Sequence, residues 1–233
     1  MNITRRVALA SVPALAAAPL LLAAAPPAPT PTPSVTSVEL PSAKPLPFDV
    51  KKLRGLSEKL VTSHHDNNYA GAVKNLIKVR EQIAATTKDT PPFVVGALRD
   101  RELGFHASTV LHELYFGNLG GDGKPAGALV KALPSDWEAR LRATAMSLGG
   151  GSGWATIGMS MHTGELAVLW SGNHTQNAPA TLPLVVIDMY EHAYAIDYGA
   201  GAAGYVDAVF ANLDWNVIEA RYERAQKARA ALA

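Results

Sequence analysis

The feature that most constrains the fold is a change of hydrophobic period at the glycine-rich segment 149–153. Before it, apolar residues recur every three or four positions, as Leu53, Leu56 and Leu60 do, which is the period of a helix. After it come three short apolar runs, the last of them rich in valine, isoleucine and leucine, which are typical of strands. Helical spacing returns near the end of the chain. These alternations predict an α+β protein in which a small antiparallel three-stranded sheet lies between helical regions.

The same patterns predict the individual elements. A long helix or helical pair covers the stripe from Leu53 to Ile83, and a second helix ends at Gly117. The remaining predicted helices are Ala126 to Ala132, Ser135 to Ser147 with Ser135 as its cap, Ala202 to Phe210 and Asn216 to Leu232. The predicted strands are Trp154 to Met161, Glu165 to Trp170 and Leu182 to Tyr190, the first two forming a hairpin around His162-Thr163-Gly164. The aromatic residues Trp154, Trp170, Tyr190 and Trp215 are interpreted as core residues.

The N-terminal segment is typical of an exported protein. Residues 1–25 combine a basic start at Arg5 and Arg6 with an alanine- and leucine-rich apolar run, which is a signal-peptide pattern. The paired arginines resemble a twin-arginine signal, and a general secretory signal is the alternative. Residues 26–47 are rich in proline and predict an extended linker. The folded part is then predicted to comprise a helical domain, 48–118, and an α+β domain, 119–233. Periplasmic or secreted localisation is expected.

Composition narrows the chemistry that this chain can perform. The chain has no cysteine, which excludes thiolate metal sites, disulfides and cysteine nucleophiles. Its formal net charge of +1 does not favour a dedicated nucleic-acid binder. Nitrogen and oxygen ligands are the remaining means of holding a metal ion, so the 7 histidines are the candidates to follow.

One carboxylate and three histidines form the candidate site. Asp188 and His192 stand four residues apart where the third strand ends, so both side chains can converge on one point if the chain turns there. A surface pair is the alternative for these two residues. His64 and His112 lie on apolar helix faces, where a histidine is more often a hydrogen-bonded core residue. The four together favour a metal site.

A family resemblance supports this interpretation. The segment Asp188-Met-Tyr-Glu-His-Ala-Tyr-Ala-Ile-Asp-Tyr198 resembles the D-x-W-E-H-A-Y-x-x-D-Y signature of the iron/manganese superoxide dismutases, with Tyr190 in place of the tryptophan. Further segments resemble that family in the same order along the chain: Leu46-Pro-Phe-Asp49, Ser63-His-His-Asp66, Leu111-His-Glu-Leu-Tyr-Phe116, Gly151-Ser-Gly-Trp154 and Leu213-Asp-Trp-Asn216.

The resemblance implies a fold, a cofactor and a reaction. It implies an N-terminal helical hairpin region and a C-terminal α+β domain with one iron or manganese ion between them. The implied protein ligands are His64, His112, Asp188 and His192, with solvent as a fifth ligand. The implied reaction is the disproportionation of superoxide to dioxygen and hydrogen peroxide. The sequence leaves the choice between iron and manganese open.

Several positions depart from the family pattern. Asn68 and Ala72 stand where the family has a histidine and the tyrosine that gates the substrate channel, and Ala195 stands where it has an interface tyrosine. Glu191, which in the family bridges to the partner subunit, is retained and implies a homodimer or higher homo-oligomer.

Other residues are implied to support catalysis around the metal. Ser108 replaces the glutamine of the iron-type enzymes, so His174 is implied to contact the metal-bound solvent and to relay protons. Trp154 and Tyr190 are implied to lie near the metal.

Two further functions remain open at this point. One is a metal-binding protein of the same fold whose dismutase activity is weak or lost, acting in sequestration or interaction. The other is a weak peroxidase that admits a larger substrate because the gate is missing. The ligand set is the same for all three functions.

Overall fold

The computed structural model describes residues 41–232. The predicted signal segment and most of the predicted linker lie outside the described residues. The last linker residues already contact the folded part: the Lys44 backbone N–H donates to the Tyr69 hydroxyl at 2.9 Å, and Leu46 packs against the core. None of the helices in 41–232 combines the length and the apolarity needed to cross a membrane.

The N-terminal half is helical, as predicted. Helix α1 (Glu58–Ser63) begins at Ser57, whose hydroxyl accepts from the Leu60 backbone N–H at 3.0 Å. A π-helical segment, His64–Tyr69, connects it without a break to α2 (Ala70–Ala84). Helix α3 (Pro92–Gly117) packs along α2. The helix predicted along the stripe from Leu53 to Ile83 is confirmed as one continuous helix from Glu58 onward, but Leu53 and Leu56 precede it in an irregular stretch where Gly55 has a φ of 71°. The predicted end of the second helix at Gly117 is confirmed.

Two short helices connect this half to the sheet. They are α4 (Ala128–Ala132) and α5 (Trp137–Met146). The predicted cap at Ser135 is wrong, because residues 134–137 form a turn in which the Trp137 N–H donates to the Pro134 carbonyl. Asp136 therefore precedes the helix, and its carboxylate pairs with Arg140 at 2.8 Å rather than capping the backbone.

The sheet has three antiparallel strands, as predicted: β1 (Trp154–Ser160), β2 (Leu166–Ser171) and β3 (Thr181–Asp188). The central strand is β1, and Trp154 pairs with Ser171 on one side and Asp188 on the other. Strand β3 ends two residues earlier than predicted, because the Tyr190 N–H turns back to the Asp188 side chain at 2.9 Å.

One core prediction is wrong. Trp170 lies on β2, an edge strand of the sheet, and its side chain is 54% exposed. Trp154 and Trp215 are buried as predicted, and Tyr190 is half-buried but packs against the core. The apolar residues of β2 follow one another without alternation, so the sequence does not show which of their side chains face the core and which face solvent.

Three further helices complete the fold: α6 (Ala195–Tyr198), α7 (Ala202–Ala211) and α8 (Trp215–Leu232). Helices α3 and α8 both pack against β3. Buried residues of the helices and of the sheet form one hydrophobic core, and this arrangement brings the last turns of α3 next to the end of β3. The predicted α+β class is confirmed.

Candidate metal centre

His64 enters the site from the π-helical segment that follows α1. The extra residue per turn in a π segment changes the direction of the side chains that follow, and such segments are frequent at functional sites. The imidazole is buried, and its Nε2 atom lies 3.1 Å from Asp188 Oδ2. Burial lowers the pKa of His64, although the neighbouring Asp188 acts in the opposite direction. A neutral His64 can present a nitrogen lone pair to a metal ion.

His112 enters from the last two turns of α3 and is oriented by its own helix. Its Nδ1 donates to the backbone carbonyl of Ser108, one turn earlier, at 2.7 Å. That hydrogen bond requires the proton on Nδ1 and leaves the lone pair on Nε2. Nε2 is buried, has no hydrogen-bond partner, and lies 3.5 Å from Asp188 Oδ2. Burial lowers the pKa of His112 to about 3.

Asp188 and His192 come from the end of β3 and the 3₁₀ turn Glu191–Ala193. Asp188 is fully buried; its Oδ1 accepts from the Tyr190 N–H, which leaves Oδ2 facing the histidines. His192 Nε2 lies 3.4 Å from that oxygen but lacks the geometry of a hydrogen bond. Burial raises the pKa of Asp188, but the interactions with His192 and His64 outweigh it and hold that pKa well below its usual range.

These four side chains fit a metal ion. One ligand atom from each residue lies within 4.8 Å of all the others. A buried nitrogen without a partner is costly, and this group contains two, on His112 and His192. A cation among the three nitrogens and the carboxylate oxygen would satisfy both of them. Imidazole and carboxylate together suit divalent and trivalent iron or manganese.

Comparisons with known proteins agree with this geometry. The family model for the C-terminal domain of iron/manganese superoxide dismutases matches residues 133–221. A superoxide dismutase [Fe] of Cupriavidus metallidurans is 41% identical over 189 residues, which cover 78% of this chain and 96% of that protein. The chain belongs to the iron/manganese superoxide dismutase family. A superoxide dismutase [Fe] of Aquifex pyrophilus is 34% identical, covering 78% of this chain and 91% of that protein. A superoxide dismutase [Mn] 1 of Halobacterium salinarum is 31% identical, covering 82% of this chain and 98% of that protein.

The structure brings together all four ligands expected for a member of this family. His64 and His112 come from the helical half, and Asp188 and His192 follow the sheet. The metal site therefore lies between the two regions, as the resemblance implies.

The three other predicted site residues form a row of aromatic rings beside the ligands. The indole N–H of the fully buried Trp154 donates to His174 Nδ1 at 3.0 Å. His174 stacks on Tyr190, with centroids 4.6 Å apart, and Tyr190 stacks on the ligand His192 at 5.2 Å. The His174 ring lies 6.2 Å from that of His112. Because Nδ1 accepts a hydrogen bond, neutral His174 carries its proton on Nε2.

Three of the positions that depart from the dismutase family pattern line an opening to the ligands. A cavity of about 440 Å³ reaches His112 and His192, and its wall includes Asn68, Ala72 and Ser108. The Ser108 hydroxyl lies 3.3 Å from His112 Nδ1 on the inner wall. Ala195 and Glu191 are exposed on the surface.

Sequence reasoning missed two tyrosines that support Asp188 and His64. The Tyr205 hydroxyl donates to the Asp188 carbonyl at 2.7 Å and lies 3.1 Å from the Tyr115 hydroxyl. The Tyr115 ring is 5.2 Å from that of His64. Tyr115 stands three residues after His112, one helical turn along the same face, which is a signal that could have identified it. The contact of Tyr205 has no comparable signal.

Proposed function

We propose that the protein is a superoxide dismutase that converts superoxide to dioxygen and hydrogen peroxide. The observation that carries this proposal is the convergence of three imidazoles and one ionised carboxylate on one point. When bound there, iron or manganese supplies a one-electron couple that oxidises one superoxide and reduces the next. Family relatives named for each metal support both choices.

The charge of the ligands favours an anionic substrate. His64 and His112 are kept neutral by burial, and Asp188 provides the one negative charge of the protein ligand set. Because one carboxylate balances only part of the charge of a divalent or trivalent ion, the loaded site is positive and attracts superoxide. The cavity beside Ala72 and Ser108 gives that anion a route to the edges of His112 and His192.

Formation of peroxide requires protons, and His174 is positioned to hold one. Its Nδ1 accepts from Trp154, so its mobile proton is on Nε2. The ring lines the same cavity as His112 and His192. Burial lowers the pKa of His174, which makes the neutral form dominant near pH 7. In this function the His174 Nε2–H donates a hydrogen bond that positions water and reduced oxygen in the cavity, and the protons that complete peroxide come from water, which is left as hydroxide.

A second candidate function is metal binding with weak dismutase activity, in a sequestration or interaction role. The observation that favours it is the wide cavity at Ala72, since a small substrate is held poorly in a large opening. A weak peroxidase activity toward larger substrates is a variant of this second candidate. The ligand cluster is common to all of them.

The deciding experiment is a superoxide-consumption assay on protein loaded with a known metal. The full chain is loaded anaerobically with iron, with manganese, or with zinc as the redox-inactive control. We expect about one ion per chain in each sample and rapid superoxide consumption with iron or manganese, well above the zinc sample. Full metal loading with consumption no faster than the zinc control would reject the dismutase and leave the metal-binding function.

We further propose that the protein is exported and acts outside the cytoplasm as a homodimer. The signal-like segment 1–25, with Arg5 and Arg6 before its apolar run, supports export by the twin-arginine route. That route carries folded proteins, so the metal would be loaded before export. Glu191 supports the dimer, because it is exposed directly beside the ligand His192 and can contact a partner subunit.

A further inference from the structure

The cavity that leads to the metal ligands is far larger than superoxide requires. Its volume of about 440 Å³ would hold about fifteen water molecules at about 30 Å³ each, and it falls in the range of sites for small organic ligands. A diatomic anion needs only a small part of that space.

Small residues on facing helices create the space. Gly71 and Ala72 on α2 and Gly104 and Ser108 on α3 line the cavity. A Cβ atom added to Gly71 or to Gly104 would meet nothing within 4 Å. The cavity therefore lies between α2 and α3, and its size does not come from Ala72 alone.

The lining is rich in free hydrogen-bond donors. Asn173 Oδ1 already accepts from the Thr175 N–H and hydroxyl and from the Gln176 N–H, so the Asn173 amide NH₂ is the group left for a ligand. Asn68 and Asn75 have no side-chain hydrogen bond with another residue of 41–232. His174 adds its Nε2–H at the inner end of the cavity, which is the end lined by His112 and His192.

The charges of the cavity also favour an anion. Arg101 lines the cavity and makes no ion pair with any other residue of 41–232. Asp100, the one acidic residue of the lining in the described part of the chain, balances Arg101 in formal charge, so the positive charge of the cavity comes from the metal ion held by His112 and His192 at its inner end. A ligand that places a carboxylate near Arg101 or the inner donors and a hydroxyl near the asparagine amides would match this arrangement. Phe105 offers a ring to pack against an apolar part.

We propose that this cavity binds a small hydroxylated organic carboxylate next to the metal centre. The ligand would lie between α2 and α3 and would obstruct the path of superoxide to His112 and His192. The proposal deepens the proposed function, because it names a second ligand class for the same site. Its test measures binding and does not depend on superoxide turnover.

The test is calorimetric titration of the zinc-loaded full chain with 4-hydroxybenzoate, and with 4-hydroxybenzamide as a neutral probe of the same shape. We expect the acid to bind at least tenfold more tightly than the amide. A72Y fills the cavity from α2 and is expected to weaken binding of the acid at least tenfold, while binding of azide, a small anion, persists. R101Q is expected to weaken binding of the acid two- to fivefold, the range for an exposed charge contact.

The matched control is R99Q, on the same helix but outside the cavity, where Arg99 pairs with Glu102 at 2.9 Å. Binding of the acid should be unchanged in R99Q. Equal binding of the acid and the amide, or an unchanged affinity in both A72Y and R101Q, would overturn the proposal. If the protein consumes superoxide but does not bind the acid, only the organic-ligand proposal is refuted. If the metal-loaded protein binds the acid but does not consume superoxide, only the proposed dismutase function is refuted.

Discussion

Replacement of His174 by alanine removes a proton donor and a hydrogen-bond acceptor at the same time. The acceptor is Nδ1, which lies 3.0 Å from the indole nitrogen of Trp154. Trp154 is fully buried, so the His174→Ala change leaves its N–H without a partner. An unsatisfied buried donor costs about 1–3 kcal/mol of the free energy of unfolding. For a protein of this size that corresponds to a fall in Tm of about 2–4 °C for each kcal/mol.

The catalytic effect of the same change comes from the other nitrogen. If the Nε2–H of His174 positions the water that delivers protons to reduced oxygen, His174→Ala should slow turnover tenfold or more, a change in barrier of about 1.4 kcal/mol. Metal content should stay at the parent level, because His174 is not among the four converging ligands. The two measurements are superoxide consumption per bound metal ion and urea unfolding of the metal-free protein.

A conservative variant separates the two roles of His174 from simple loss of packing. In His174→Gln the amide oxygen can accept from Trp154 while the amide NH₂ donates into the cavity, so we expect both stability and turnover to recover in large part. His162→Ala is the matched control, because His162 is exposed in the hairpin turn, and neither quantity should change. If His174→Ala consumes superoxide at the parent rate with its metal bound, the proton-relay role is refuted.

Three further predictions concern the ligands and the export segment. Asp188→Ala removes the one anionic ligand and should abolish most metal retention in elemental analysis; full occupancy would show that another residue holds the ion. In metal-free protein the pKa of His112 is about 3, below its unfolded value of 6.5, so the unfolded chain binds the proton first. Stability should therefore decrease by about 1 kcal/mol per pH unit as the pH falls from 6.5 toward 4.5 in urea titrations, and a flat profile would contradict the buried neutral imidazole. Replacement of Arg5 and Arg6 by lysine should retain the protein in the cytoplasm on fractionation, and normal export would favour the general secretory route.

Much of the fold could be predicted because its signals are local. The helical spacing from Leu60 to Ile83, the glycine-rich segment 149–153 and the valine-rich run before Asp188 are each contained within a short stretch of chain. The predictions that failed depend on surroundings that a local pattern does not contain. Ser135 does not cap α5 because of a turn at Pro134, and Trp170 is exposed because β2 is an edge strand.

The ligand set could be predicted for a different reason. The spacing of Asp188 and His192, and the positions of His64 and His112 on apolar helix faces, made these four residues candidates, and the family resemblance of the segments around them implied that they are the ligands. A metal site requires specific donor types, which side-chain chemistry specifies directly. The roles of Glu191 in a dimer and of residues 1–25 in export stay predictions.

The amino-acid sequence by itself determined the α+β order of elements and the identity of the metal-ligating side chains, because these depend on periodicity and on donor chemistry. The tertiary structure alone decided which nitrogen of His174 carries the proton, since the packing of β1 brings its partner Trp154 to it, and it decided that Nε2 of His112 faces Asp188. It also decided the support of Asp188 by Tyr205 and the size of the cavity beside Ala72. Such features arise from contacts between segments distant along the chain, and packing of those segments is not encoded in any local pattern.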